Sequence, residues 1–450
     1  MNHGPPSRRI FLKRLGVSGL AASLPLRAEA QADDSRKPNI IVILADDLGF
    51  GDLECYRGTL VKTPRLNELA RQGMRFANFH ASSPVDRPTR AALLTGRYPH
   101  RYRIESDTQP KKRAKFPGLP LGQVTFAKLL KDNGYKTALF GKWDLGTTPA
   151  AHPARHGFDE FRGYVGESVD YHSHIDAEGA RDWWINTKRE EEKGYVTDLI
   201  TQHGIRFMEE HRDEPFCLYL SHAAPHWPLQ GRKDPPVWQK GNPGPVEELR
   251  RDPQVVYREM IEVLDEGIGR ILETVKRLDL ESDTFLFFSS DNGAREPGSN
   301  GSLIGRKGTL FEGGIRVPAI AWWPGKIKAN LVSMDPAMTM DLFPTLAQIS
   351  GATIPEGVKM DGISLCPALL HGKALPQRTL FWRYGTPYRE KAVIQGSWKL
   401  YITKQKSYLF NLDYDISEQL NFFASRSDIV ALFQKALGAW EKDVDRGVTR

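Results

Sequence analysis

The chain has 450 residues, 40% of them hydrophobic and 26% charged, the balance of a soluble globular protein with a large core and a smaller appendage. Its formal charge of +7 is concentrated at the start, where residues 1–30 hold Arg8, Arg9, Lys13, Arg14 and Arg27 against Glu29 alone. The surplus left for the rest excludes a nucleic-acid-binding role and fits at most a mildly anionic substrate. Ser7-Arg8-Arg9-Ile10-Phe11-Leu12-Lys13, the apolar stretch from Leu15 to Leu26 and the small residues Ala28 and Ala30 read as a twin-arginine export signal over 1–30. A periplasmic or secreted protein is expected. The apolar stretch is too short and too rich in Gly, Ser and Pro to span a bilayer, and no later segment is longer. Three cysteines, Cys55, Cys217 and Cys366, cannot form a disulfide framework. Cys217, inside the apolar run Pro215–Leu220, reads as a buried small hydrophobe. Nothing in the sequence sets the oligomeric state.

Asn39–Ala45 (Asn-Ile-Ile-Val-Ile-Leu-Ala) is a continuous apolar run, the pattern of a strand buried on both faces. Thr63 followed by Pro64 marks a helix start and predicts a helix over Pro64–Gln72. Tyr135–Phe140, Phe216–Ser221 and Thr284–Ser290 are further buried strands. Pro253–Leu278 carries Val256, Met260, Val263, Leu264, Ile268, Ile271, Leu272 and Val275 at helical spacing, a long amphipathic helix. Strands alternating with helices predict an α/β domain on a large, mainly parallel sheet over residues 38–375. From about Pro376 the rhythm changes. Thr379–Tyr384, Ala392–Ile394, Trp398–Thr403 and Tyr408–Asn411 read as short antiparallel strands, followed by a helix over Ser427–Lys442. Residues 376–450 are therefore expected to form a small α+β subdomain. The basic run Lys111-Lys112-Arg113-Ala114-Lys115 is a solvated loop or a substrate-facing rim.

The residues immediately beyond each strand carry the site. After Ala45 come Asp46 and Asp47; after Phe140 come Gly141, Lys142, Trp143 and Asp144. After Ser221 the chain reads His222-Ala223-Ala224-Pro225-His226, and after Ser290 it reads Asp291-Asn292-Gly293. Open α/β sheets bind ligands beyond the carboxyl ends of their strands, so this edge is the expected site. Asp46, Asp47, Asp291 and Asn292 make an oxygen-only donor set suited to a hard cation, Ca²⁺ or Mg²⁺. Each motif on its own also suits a plain turn after a strand.

The run Asp86-Arg87-Pro88-Thr89-Arg90, continuing Ala91-Ala92-Leu93-Leu94-Thr95-Gly96-Arg97, resembles the type I sulfatase signature. That signature is Cys-x-Pro-Ser/Thr-Arg followed by a helix ending Thr-Gly-Arg. Pro38–Leu48, Gly51-Asp52-Leu53, Thr63-Pro64 with Leu69-Ala70 and Gly73, and Gly141-Lys142-Trp143 are similar to further blocks of that family. So are Ala224-Pro225-His226, Lys307-Gly308-Thr309, Glu312–Pro318 and Leu409–Leu420. The resemblance implies a sulfatase or alkaline-phosphatase-like fold and calcium, in preference to magnesium, at Asp46, Asp47, Asp291 and Asn292. It also implies a grip on the substrate anion by Lys142 and Lys307. Arg90 would hold the nucleophile position, and His226 would assist the leaving oxygen. An anionic, sulfated carbohydrate is the implied substrate class.

Two positions depart from the family. Asp86 stands where its Cys is oxidised to formylglycine, and Asp144 stands where Gly-Lys-Trp-His has its His. Ordinary formylglycine chemistry is excluded. Three readings stay open. Asp86 serves a modified, metal-dependent ester hydrolase; or Asp86 and Asp144 are the carboxylate pair of a glycoside hydrolase on a charged glycan; or the chain is an inactive glycan-binding relative. Arg155, His156, Arg162, His172 and His174, in the stretch after Asp144, are candidates to line a pocket for an anionic sugar, or are ordinary surface residues.

Overall fold

The apolar run Asn39–Ala45 forms the middle of the main sheet with all seven residues buried, because strands lie against both of its edges and helices against both faces. The structure is a computed structural model describing residues 36–106, 118–241, 251–385 and 390–446. The expected export signal and the basic run 111–115 lie outside those residues. Lys37–Arg450 form one compact unit.

Ten strands make the sheet, as the alternating pattern predicts. Its centre is parallel, in the order Thr284–Ser290, Asn39–Ala45, Phe216–Ser221, Lys136–Lys142, Glu160–Tyr164. Antiparallel strands flank it: Ala319–Trp322 beside Thr284–Ser290 and Trp184–Ile185 beside Glu160–Tyr164. Alternate residues of Asn39–Ala45 feed two cores. Ile41 and Ile43 face the side packed by Val196–Glu210 and Pro253–Arg277, while Ile40, Val42 and Leu44 face the side packed by Phe126–Asp132 and Leu342–Ser350.

The strand expected over Tyr135–Phe140 runs instead over Lys136–Lys142. Gly141 permits the extension. Its φ is +111°, and a Cβ there would sit 2.0 Å from the carbonyl oxygen of Ser221 on the neighbouring strand. Lys142 thereby becomes the last residue of a buried strand and not part of a loop.

The helix after Val85 starts at Asp86, two residues earlier than Pro88, and runs to Thr95 with every residue buried. It ties the parts together, since Leu93 and Leu94 join the main core while Ala92 packs in the C-terminal cluster with Trp382. The C-terminal strands Thr379–Tyr384, Glu390–Gln395, Trp398–Ile402 and Ser407–Asn411 form a four-stranded antiparallel sheet, and the last helix spans Ser427–Val444. Lys399 of that sheet is fully buried, 2.8 Å from both Glu312 and Glu418, and so pins the small sheet to the large unit's Glu312–Ile315 turn. Among the described residues no helix is long and apolar enough to cross a membrane, and the three cysteines are unpaired.

Candidate active site

The register of the parallel strands brings their carboxyl ends level: Leu44 lies opposite Ser221, Ala45 opposite Ser290, and Gly141 opposite Ser221. Asp46, Asp47, Lys142, Asp291 and Asn292 therefore emerge side by side, all buried. Asp47 turns the chain with φ of +64°, a conformation that Asp tolerates through its short polar side chain.

Asp86 enters from the first turn of its helix, where the helix dipole favours a carboxylate. Its two oxygens meet two lysines. Lys142 Nζ donates to Asp86 Oδ2 at 2.5 Å and to Asp46 Oδ2 at 2.6 Å. Lys307 Nζ lies 2.6 Å from Asp86 Oδ1 and 2.7 Å from Asp47 Oδ1. One turn along, Arg90 donates to Asp291 Oδ2 from Nε (3.0 Å) and Nη2 (2.7 Å), and from Nη1 to Ser221 Oγ (2.6 Å). Ser221 Oγ in turn donates to the Lys142 carbonyl at 2.6 Å. Against the cost of burial, Lys142 and Lys307 hold the Asp86 carboxyl well below the usual carboxylate range. Asp46 and Asp291 behave oppositely: burial and the carboxylates beside them push each up to about 8.

The set tests well for a cation. Asp46 Oδ1, Asp47 Oδ2 and Asn292 Oδ1 are buried without a hydrogen-bond partner, while the Asn292 amide donates to Asp47 Oδ1 at 2.7 Å and so turns its own oxygen free. Unsatisfied buried oxygens are costly and oxygen-only sets suit a hard divalent ion. Asp291 is less available than the other three, because Arg90 and the Asp47 N–H occupy its oxygens. Asp86 and His226 come closer than the motif suggested: with Asp46 and Asp47 they present ligand atoms all within 4.8 Å of one another. His226 Nδ1 lies 2.8 Å from the carbonyl of Trp227, which places the ring proton there and leaves Nε2 as an acceptor, 3.8 Å from Asp86 and 3.9 Å from Asp47.

The second departure from the family has its own partner. Arg87, which the motif did not single out, donates from Nη2 to Asp144 Oδ1 at 2.9 Å and from Nε to its carbonyl at 3.1 Å. Both side chains are buried, and Asp144 has φ of +50°. Asp86 and Asp144 are thus neutralised by different cations.

His156, His172 and His174, the candidate histidines after Asp144, are engaged elsewhere. His174 is buried, stacked on Trp183 at 4.3 Å and bonded to the Gly194 carbonyl; burial pushes its pKa down to about 4. His172 Nε2 meets the Gly231 carbonyl at 3.1 Å and its ring packs on Tyr195. His156 packs against Trp143, and Arg162 pairs with Glu160. Arg155 is exposed on the rim of a separate small cavity.

Residues 38–352 match the family described as Sulfatase. N-acetylgalactosamine-6-sulfatase of Homo sapiens is 35% identical over 373 residues, covering 78% of this chain and 69% of that protein. Steryl-sulfatase of Homo sapiens is 32% identical over 432 residues, covering 77% and 72%. The crystal structure of Ps i-CgsB in complex with k-i-k-neocarrahexaose superposes with a TM-score of 0.82 at 29% identity, covering 92% of this chain and 94% of that one.

Proposed function

This chain belongs to the sulfatase family, and on that footing we propose that it is a metal-dependent hydrolase of sulfate esters on anionic carbohydrates that works without formylglycine. The observation that carries the reading is the pairing of three uncompensated buried oxygens with the buried Lys142 and the partly buried Lys307 beside the same strand ends. Such a site is built to take a cation and an anion together. Calcium is the favoured ion; Asp46, Asp47 and Asn292 would hold it, and when bound it would supply positive charge for the ester oxygens. The likeness to N-acetylgalactosamine-6-sulfatase and to a carrageenan-oligosaccharide complex supports a sulfated glycan as substrate. The sequence of residues 1–30 supports export by the twin-arginine route to such material.

Asp86 is a poor nucleophile while two lysines hold it ionised, so water attacks. Lys142 and Lys307 grip the sulfate oxygens, and Arg90 keeps Asp291 and the strand ends in place. His226 Nε2 takes the proton from water as its oxygen bonds to sulfur. The bridging S–O bond breaks, and the same proton passes to the leaving alkoxide, giving the free sugar hydroxyl and hydrogen sulfate. Glycosidic cleavage would need a pair of carboxyls free to serve as acid and base, and here Asp86 is held by Lys142 and Lys307 while Asp144 is ion-paired with Arg87.

One observation favours a second reading, binding without turnover. Asp86 already occupies the lysine tips that a sulfate would use. The experiment measures sulfate released from N-acetylgalactosamine 6-sulfate, 4-nitrophenyl sulfate and carrageenan and chondroitin oligosaccharides, with calcium and after chelation. Release that disappears on chelation and in Lys142→Ala is expected. Retained glycan binding with no release from any substrate replaces hydrolysis with the binding reading.

A further inference from the structure

The carboxyl edge of the sheet holds a second cavity, of about 280 Å³, that the charged cluster does not use. It forms where the loop after Asp144 (Thr147, Thr148, His152, Arg155) meets Val165 and Trp184. Strand register fixes its place: Tyr164 lies opposite Lys142, Val165 comes directly after it, and Trp184 lies opposite Gly163. Thr147 is five residues from Lys142, so at most about 18 Å of extended chain separates them. The cavity is therefore a near neighbour of the anion grip on the same edge.

His152 points to a ligand. Its Nδ1 accepts the Ala154 N–H at 3.3 Å, which leaves the ring proton on Nε2. That Nε2 has no hydrogen-bond partner although the residue is only 6% exposed. Burial lowers the ring's proton affinity and keeps it neutral, against a weaker pull from the Asn186 backbone, which is out of hydrogen-bond geometry with Nε2. A buried donor without an acceptor marks a place where an acceptor arrives with something else. The rest of the lining says what arrives. Thr147 and Thr148 offer hydroxyls, Val165 and Trp184 offer apolar surface, and no carboxylate lines the cavity. Arg155 stands exposed at the rim and pairs with no carboxylate among the described residues.

We infer that this cavity is a second sugar subsite, holding a neighbouring, negatively charged ring of the glycan whose sulfate ester lies at Lys142 and Lys307. The inference rests on the proposed substrate class and not on turnover. The C–H face of a pyranose lies on Val165 and Trp184, its hydroxyls meet His152 Nε2–H and the threonines, and its sulfate or carboxylate meets Arg155.

The test is calorimetry on the calcium-loaded full chain with N-acetylgalactosamine 6-sulfate, a chondroitin 6-sulfate tetrasaccharide, a heparin tetrasaccharide and a carrageenan hexasaccharide. Wild type should bind at least one oligosaccharide about tenfold more tightly than the monosaccharide. Arg155→Ala and His152→Ala should each remove most of that preference, and His152→Gln, which keeps a donor, should restore part of it if His152→Ala folds poorly. Absence of any preference in wild type, or a preference that survives unchanged in folded Arg155→Ala and His152→Ala, overturns the subsite. Because the readout is a ratio of affinities, it stands or falls independently of whether sulfate is released.

Discussion

Arg87 and Asp144 show how a buried departure is made tolerable. A carboxylate in place of an imidazole, 2% exposed, would be an uncompensated charge were Arg87 not 2.9 Å away. Arg87→Ala should therefore destabilise the protein by about 3 to 5 kcal/mol in denaturant unfolding, the usual cost of stranding one partner of a buried pair. Arg87→Met with Asp144→Asn should recover most of it, since Asn also accepts a φ of +50°. Equal stability of wild type and Arg87→Ala would mean that Asp144 is not held by this contact. The same position limits any return to the family's chemistry. Asp86→Cys alone restores the signature Cys-Arg-Pro-Thr-Arg, but leaves Asp144, paired with Arg87, where the family signature has His. Formylglycine should form in Asp86→Cys co-produced with a maturation enzyme, seen by aldehyde labelling. Fast release of 4-nitrophenyl sulfate should require Asp86→Cys and Asp144→His together. Equal rates in the single and double variants would show that Asp144 does not limit turnover.

Strand ends carried most of what could be read in advance. Asp46, Asp47, Lys142, Asp291 and Asn292 stand together because each directly ends or succeeds an apolar run, and a run of buried residues is visible in the sequence. The ring of contacts around them was not visible. Arg87 and Asp144 are 57 positions apart, and nothing local distinguishes a partnered arginine from a surface one. His172 and His174 were open for a related reason: a loop needs donors to tie its carbonyls, and histidine serves there as readily as at a substrate. The attachment of the C-terminal sheet was also hidden, because Lys399, Glu312 and Glu418 come from three distant segments. Burial, reinforced by Glu312, pushes Glu418 up to about 7 despite Lys399. A carboxyl raised on folding contributes stability that is complete below its unfolded value near 4.5 and fades as pH climbs through about 7. Wild type should accordingly lose stability relative to Glu418→Gln between pH 5 and pH 8, read from thermal midpoints of both proteins. A difference that is flat across that range, or that grows in the other direction, would contradict a Glu418 carboxyl raised on folding.

Charge at the level of the whole site decides what the molecule can accept. Asp46 and Asp291, pushed up to about 8 without a cation, would be held ionised by one; four carboxylates (Asp46, Asp47, Asp86, Asp291) then face three cations (Arg90, Lys142, Lys307), and His226 is neutral. That leaves one negative charge, which a divalent cation turns into one positive charge. The complete site is then neutralised by a monoanion. A sulfate monoester carries one charge at every pH of interest, whereas a phosphate monoester carries nearly two above its second pKa of about 6. Uncompensated charge in a buried site is expensive, so the calcium-loaded protein should prefer a sulfate over the matching phosphate by at least about tenfold at pH 8. Near pH 5 the phosphate too becomes a monoanion, and the preference should narrow. Asp86→Asn removes one negative charge and should move the preference towards the phosphate dianion at pH 8. Competition between N-acetylgalactosamine 6-sulfate and its 6-phosphate, followed by calorimetry, measures all three. Calcium itself should raise the unfolding temperature, with a gain of about 2.7 kcal/mol at a concentration one hundred times its dissociation constant. A phosphate preference in wild type at pH 8, or no response to Asp86→Asn, would show that the carboxylate at position 86 does not set the charge of the site.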